Sequence, residues 1–97
     1  MELPWLFPTD AELAAFCCEI ADELVTRFGI SEEEAVGRIN RDWRLRYCLG
    51  PHVYLAYHET PEYWAQEIYY GKDSRWWMAP EDRERLGLGP VEPLPYP

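Results

Sequence analysis

Apolar side chains recur at three- and four-residue steps over residues 10–28, which predicts an amphipathic first helix. Thr9 and Glu12 have the spacing of a capping box, so we expect Thr9 at the N-cap and Glu12 at N3. Gly29 is expected to end this helix in a left-handed conformation. The predicted apolar face comprises Leu13, Phe16, Cys17, Ile20, Leu24 and Phe28.

The same periodicity over residues 32–47 predicts a second helix, which starts at a capping box opened by Ser31 and ends before Gly50-Pro51. Because only a few residues separate the two helices, we expect them to pack as an antiparallel hairpin. The apolar face of the second helix comprises Ala35, Val36, Ile39, Trp43 and Tyr47. The arginines expected to project from its opposite side are Arg38, Arg41 and Arg44.

Residues 61–70 form a third predicted helix, with Thr60 as N-cap, Pro61 in the first helical position and Gly71 at the end. Its aromatic rings point all round a helical wheel. Trp64, Ala65 and Ile68 share one side of the wheel. Tyr63 and Tyr70 lie together nearly opposite that side, and Tyr69 lies between the two sides. A short helix buries about one apolar stripe. The rings are therefore either covered by other elements or presented to a partner.

These elements predict a mainly α fold in a single domain of residues 1–97, with the helical hairpin packed against the short aromatic helix. A last short helix is expected over residues 80–86. The main alternative is an α+β fold with a short two-stranded element near residues 52–58 and 73–78. The tryptophans expected to join the helices are Trp43, Trp64, Trp76 and Trp77.

Both termini are predicted to be extended. Residues 1–8 contain two prolines that prevent a helix, and residues 87–97 form a Pro-rich tail of the polyproline type. We expect Leu94 and Tyr96 in this tail to fold back onto the aromatic cluster.

The net charge of −9 narrows the class of partner. Nucleic acid and anionic membrane surfaces are disfavoured because both attract clustered Lys and Arg. A basic protein is favoured instead. No apolar run approaches the length of a membrane span. Three cysteines, two of them adjacent, form no disulfide framework, and the first residues do not form a secretory signal, so a cytoplasmic location is expected.

The second helix carries the one basic feature, since residues 35–58 have a net charge of +3 within an acidic chain. Arg38, Arg41 and Arg44 are candidates for a weak anion-binding site, because guanidinium groups bind phosphate or carboxylate in a bidentate manner. Alternatively, these arginines form a solvated face or pair with acidic residues of the first helix. The acids that could pair with them are Glu19, Asp22 and Glu23.

An enzymatic function has weaker support from the sequence. The residues able to bind a metal are Cys48, His52, His58, Glu59 and Glu62, and no pair among them has the spacing typical of a zinc site. A small metal- or thiol-dependent hydrolase that uses Cys48, His52 and His58 is therefore an alternative function. We find no recognisable catalytic motif and expect no cofactor.

The favoured interpretation is a non-enzymatic protein–protein interaction domain with an acidic, Tyr-rich binding face. Tyrosine is frequent in interfaces because it supplies rigid contact area and a hydroxyl group. A structural domain that self-associates into a homo-oligomer is the third interpretation. The candidate binding residues are Tyr63, Tyr70, Tyr69, Glu62 and Glu67.

The chain shows two resemblances, of which the second bears on function. The segments GISEEEAVGRINRDW (29–43) and YHETPEYWAQEIYYG (57–71), with Trp76-Trp77, resemble a group of small bacterial proteins of about this length that have no assigned function. That resemblance implies a related fold and a bacterial source. The segment Ile68-Tyr69-Tyr70 is similar to an Ile-Tyr-Tyr segment of DNase-colicin immunity proteins, which are short, acidic and helical. It implies an inhibitor of a basic partner.

Overall fold

The computed structural model describes residues 4–6, 10–46 and 57–96, with the backbone alone for 44–46. These residues form four helices and no strand. The mainly α prediction is confirmed. The helices are α1 (Ala11–Phe28), α2 (Glu32–Arg46), α3 (Pro61–Tyr70) and α4 (Pro80–Arg85).

Local capping interactions set where the first helix begins and ends. The prediction of Thr9 as N-cap is wrong, because Asp10 occupies that position and its carboxylate accepts the Leu13 N–H at 2.8 Å. A charged carboxylate is a strong acceptor at the positive end of a helix. Gly29 has φ 67° and donates its N–H to the Val25 carbonyl, as predicted. Thr9 itself lies outside the described residues.

The other predicted caps are confirmed. The Ser31 hydroxyl accepts the Glu34 N–H at 3.0 Å, directly before α2. The Thr60 hydroxyl accepts the Tyr63 N–H at 3.1 Å, and Pro61 opens α3. Gly71 ends α3 with φ 99°, a conformation that favours glycine. The bounds of α3 are therefore set by residues at its two ends.

The core lies where α1 packs against both α2 and α3, which confirms the helical hairpin and its contact with the aromatic helix. Trp43 of α2 is fully buried, and its ring lies 6.2 Å from Phe16 of α1 and 5.6 Å from Trp64 of α3. Three helices therefore meet at this ring. Other buried apolar residues include Leu13, Cys17, Ile20, Leu24, Ile39 and Ile68. In the described part of the chain, no helix is both long and apolar enough to cross a bilayer.

Trp76 and Trp77 have different environments. The Trp76 ring contacts Tyr63 at 5.4 Å, whereas Trp77 is 63% exposed, so the prediction that Trp77 joins the helices is wrong. The pair lies in a turn closed by a bond from the Met78 N–H to the Arg75 carbonyl. Consecutive side chains diverge in such a tight turn, and Trp77 therefore points away when Trp76 is packed.

The two-stranded alternative is wrong over residues 73–78, which form consecutive turns rather than a strand. Tyr57 and His58, at the end of its other predicted strand, form a short 3₁₀ turn. Residues 52–56 lie outside the described residues. The last predicted helix is confirmed as α4, which ends one residue earlier than expected.

The buried side chain of Asn40 on α2 binds the described part of the N-terminal arm, residues 4–6. Asn40 accepts the Leu6 N–H at 2.7 Å and donates to the Pro4 carbonyl at 3.0 Å. The amide thus satisfies both backbone groups that flank Trp5, and the Trp5 ring is buried in the core. A single amide that bonds on both sides of a buried residue fixes the position of that residue.

We expect the substitution Asn40→Ala to lower the free energy of unfolding by about 2–3 kcal/mol, because it removes two partly buried hydrogen bonds and loosens the seat of Trp5. Urea unfolding followed by circular dichroism measures the loss. Gln66→Ala is a matched control, since that half-buried amide donates only a long bond of 3.5 Å. Equal losses of unfolding free energy in the two variants would contradict a stabilising role for the two Asn40 hydrogen bonds.

Candidate functional site

Tyr63 and Tyr70 lie on the same side of α3, because seven residues correspond to about two helical turns. Both side chains are half-buried. Between them, Glu67 accepts a hydrogen bond from the Tyr63 hydroxyl at 2.7 Å. The structure therefore brings these three predicted binding residues together in one row, which we call the tyrosine row. Glu62, at the beginning of the helix, is exposed.

Neighbouring rings support both ends of the tyrosine row. The Tyr63 ring makes edge contacts with Trp64 at 5.6 Å and with Trp76 at 5.4 Å. The Tyr70 ring makes an edge contact with Phe28 of α1 at 5.5 Å. Rings held by several aromatic neighbours lose little conformational entropy when they bind a partner. The row is thus a rigid surface with apolar edges and a carboxylate between them.

Tyr69 and Glu67 are less exposed than residues of an acidic binding face are expected to be. The Tyr69 ring stacks on Phe28 at 3.8 Å with an angle of 8° between the planes, and the Arg38 guanidinium lies over the ring at 4.8 Å. Glu67 is only 8% exposed. Tyr69 therefore has a packing role, and the Glu67 carboxylate is oriented by its bond to Tyr63. Sequence alone could not show either contact, because each depends on tertiary packing.

The arginine positions correct one prediction. Arg38 is 4% exposed rather than projecting into solvent, because α3 and the C-terminal tail pack against that side of α2. Its Nε donates to Glu34 of its own helix at 2.8 Å. Arg41 is exposed and donates to the Pro95 carbonyl at 2.8 Å. The side chain of Arg44 lies outside the described residues.

Within the described ranges, the predicted pairing of these arginines with acids of α1 is not formed. Arg38 pairs with Glu34, and Glu23 of α1 pairs instead with Arg27. The Arg38 guanidinium is also 3.5 Å from the Tyr69 carbonyl. Arg38 is therefore an internal structural group, and Arg41 is the described member of the stripe that remains exposed.

A cleft of about 630 Å³ opens beside Tyr70. Its described lining carries charges of both signs, from Arg41 and Lys72 on one hand and Asp42 and Asp73 on the other. Apolar and backbone surface comes from Ile68, Gly71, Ser74 and Leu94. The cleft extends the surface around the tyrosine row towards the tail.

The thiols and imidazoles provide little support for hydrolytic chemistry in the described part of the chain. Cys17 is fully buried, and burial raises the pKa of its thiol to about 12, with a smaller contribution from the neighbouring Cys18. Such a thiol is a poor nucleophile. His58 is exposed beside Glu59, and the described residues hold no group of three or more potential metal ligands. Cys48 and His52 lie outside those residues, so the hydrolase alternative stays a prediction.

Comparison with known proteins gave no match to a family model, to a curated protein or to a solved structure. The resemblances to small bacterial proteins and to immunity proteins therefore stay predictions.

Proposed function

We propose that this protein is a non-enzymatic interaction domain that binds a basic protein through the tyrosine row and Glu62. The observation that carries the proposal is the pair Tyr63 and Tyr70, half-exposed on one side of α3, with the Glu67 carboxylate held between them. Interfaces concentrate binding energy in a few such rigid aromatic anchors. The Phe28 and Trp76 rings behind them provide the rigidity.

The Glu67 carboxylate orients the Tyr63 hydroxyl in this proposal, because it accepts that hydroxyl while it is itself only 8% exposed. A Lys or Arg of the partner would instead meet the two half-exposed tyrosine rings. The exposed Glu62 adds negative charge at the end of the row. The preferred partner surface is therefore basic.

The overall charge acts on the rate of association. A net charge of −9 attracts a basic partner over distances of about 10 Å at moderate salt. Association should be fast and should slow as the salt concentration rises. An inhibitor or immunity-like protein, which covers the basic site of another protein, is one concrete form of this function.

The test is an affinity capture from bacterial lysate with three baits: wild type, Tyr63→Ala/Tyr70→Ala, and Tyr57→Ala as a matched control. Tyr57 is 41% exposed and contacts Phe16 rather than the tyrosine row. We expect a basic protein to be retained by wild type and control, and lost at least tenfold by the double variant. All baits must first show the same helical spectrum.

Two results would contradict the proposal. Equal retention by the three baits would move the binding surface away from the tyrosine row. Retention that does not fall with added salt would contradict the electrostatic attraction between the two proteins. The charge of Glu62 is tested separately: Glu62→Gln should weaken retention, whereas Glu81→Gln on α4 should not.

A further inference from the structure

The C-terminal tail lies along α2 and α3 as an extended segment, and its contacts use backbone as well as side chains. The Leu94 N–H donates to the Tyr69 carbonyl at 2.8 Å. The Pro95 carbonyl accepts a hydrogen bond from the Arg41 guanidinium at 2.8 Å. The predicted fold-back of the tail onto the aromatic helix is confirmed for Leu94, whereas Tyr96 lies on α2 between Arg38 and Arg41. The Leu94 N–H and the Pro95 carbonyl thus have partners on the helices.

The Tyr96 side chain has a seat made by α2. The guanidinium carbons of Arg38 and Arg41 lie 5.3 and 5.5 Å from the centre of its ring, within the range of cation–π contacts. Its hydroxyl end lies directly on Gly37. A Cβ at that position would overlap the hydroxyl oxygen and lie 2.6 Å from Cζ. Glycine inside a helix costs about 1 kcal/mol relative to alanine, and here it provides the space for Tyr96.

The Leu94 side chain is 37% exposed, and its inner side packs on Gly71 at the end of α3. A Cβ on Gly71 would lie 3.1 Å from the nearest Leu94 methyl carbon. Two glycines, one on each helix, therefore receive two alternate side chains of an extended segment. The groove that they form with Arg38, Arg41 and the Tyr69 carbonyl is called the tail groove.

These features are those of sites that recognise extended peptides. Such sites bond to the peptide backbone for affinity and use pockets for alternate side chains for specificity. Proline between the two anchors reduces the entropy lost on binding. We propose that the tail groove is a recognition site for an extended Leu-Pro-Tyr segment of another protein, and that residues 94–96 are the ligand that occupies it within the same chain. This inference is independent of the proposed function of the tyrosine row.

The tethered tail competes with any external segment. A ligand attached by a short flexible linker has an effective concentration of the order of millimolar. If the groove binds a free segment with a dissociation constant of about 100 µM, the tail weakens external binding roughly tenfold. An external partner therefore has to displace the tail, and a chain whose tail lacks its anchors should bind more tightly.

The experiment measures fluorescence anisotropy of a labelled peptide, VEPLPYP, against three full-length proteins. In wild type the tail occupies the groove. In Leu94→Ala/Tyr96→Ala the groove is empty, and in the same double variant with Gly37→Ala the added methyl group blocks it. We expect the emptied groove to bind at least tenfold more tightly than wild type, and the blocked groove to lose that gain. A peptide with alanine in place of its tyrosine should not bind.

Each other result overturns the proposal. Absence of binding to the emptied groove, in a variant with unchanged helical content, would show that the tail contacts are packing only. If Gly37→Ala does not change the affinity for the peptide, the peptide binds outside the tail groove. If light scattering shows that wild type dimerises and the double variant does not, the external ligand is the tail of a second copy, which would overturn a segment of another protein as the ligand.

A second measurement covers the case in which the double variant does not fold. In Gly37→Ala alone, the helix is favoured by the substitution, whereas Tyr96 loses its seat. We expect amide exchange at Leu94 to accelerate at least tenfold relative to wild type, and exchange in α1 to remain unchanged. An unchanged rate at Leu94 would overturn the seat at Gly37.

Discussion

Replacing Trp43 with alanine is expected to lower the free energy of unfolding by about 3–5 kcal/mol. The ring is fully buried and contacts Phe16 of α1 and Trp64 of α3, so its removal leaves a cavity at the point where three helices meet. Domains of this size are stable by only about 5–15 kcal/mol. The substitution should therefore produce a measurable unfolded population at moderate temperature.

The matched control is Trp77→Ala, which deletes the same side chain at a position that is 63% exposed. We expect that loss to stay within about 0.5 kcal/mol. Trp43→Phe should fall between the two, because it keeps a ring and leaves a smaller cavity. Urea unfolding monitored by far-ultraviolet circular dichroism compares the three variants. Similar values for Trp43→Ala and Trp77→Ala would contradict the central position of Trp43.

The helices could be predicted from the sequence because their signals are local. Ser31, Thr60, Gly29 and Gly71 act on backbone groups within four residues of themselves, and the structure confirms each of them. The predicted N-cap of α1, Thr9, is one residue too early, because the Asp10 carboxylate accepts the Leu13 N–H. The spacing of a capping box alone does not show which side chain reaches the N–H groups of the first turn.

The burial of Arg38 could not be predicted from neighbouring residues in the sequence. A helical wheel places arginine in water by default, since an isolated charge is costly to bury. Here the ring of Tyr69, the ring of Tyr96 and the Glu34 carboxylate surround the guanidinium. Tyr69 and Tyr96 are distant in sequence and meet on α2 only after the chain has folded. Their contribution therefore leaves no periodic pattern around Arg38.

The sequence likewise predicts only part of the candidate site. The shared side of Tyr63 and Tyr70 follows from helical geometry alone. The burial of Glu67 and the stacking of Tyr69 on Phe28 do not, because they depend on how α1 and α3 pack. Tyr69 consequently connects two surfaces: it lies beside the tyrosine row, and its carbonyl holds the tail.

Arg38→Ala is expected to lower the free energy of unfolding by about 2–4 kcal/mol, because a charge-assisted hydrogen bond, two ring contacts and a buried aliphatic stem are lost together. Chemical denaturation measures the loss. The tail should also be released, since Tyr96 keeps only Arg41 as a cationic partner. Amide exchange at Leu94 reports that release independently of global stability.

The chain contains its own control for this substitution. Arg27 pairs with Glu23 at the same four-residue spacing as Arg38 with Glu34, but Arg27 is 40% exposed whereas Arg38 is 4% exposed. Exposed helical pairs contribute about 0.3–0.5 kcal/mol, so Arg27→Ala should have a small effect. Arg38→Met separates charge from packing, because it keeps an aliphatic stem without the guanidinium. Stability close to wild type in Arg38→Met, with Leu94 still protected, would show that packing rather than charge holds the tail on α2.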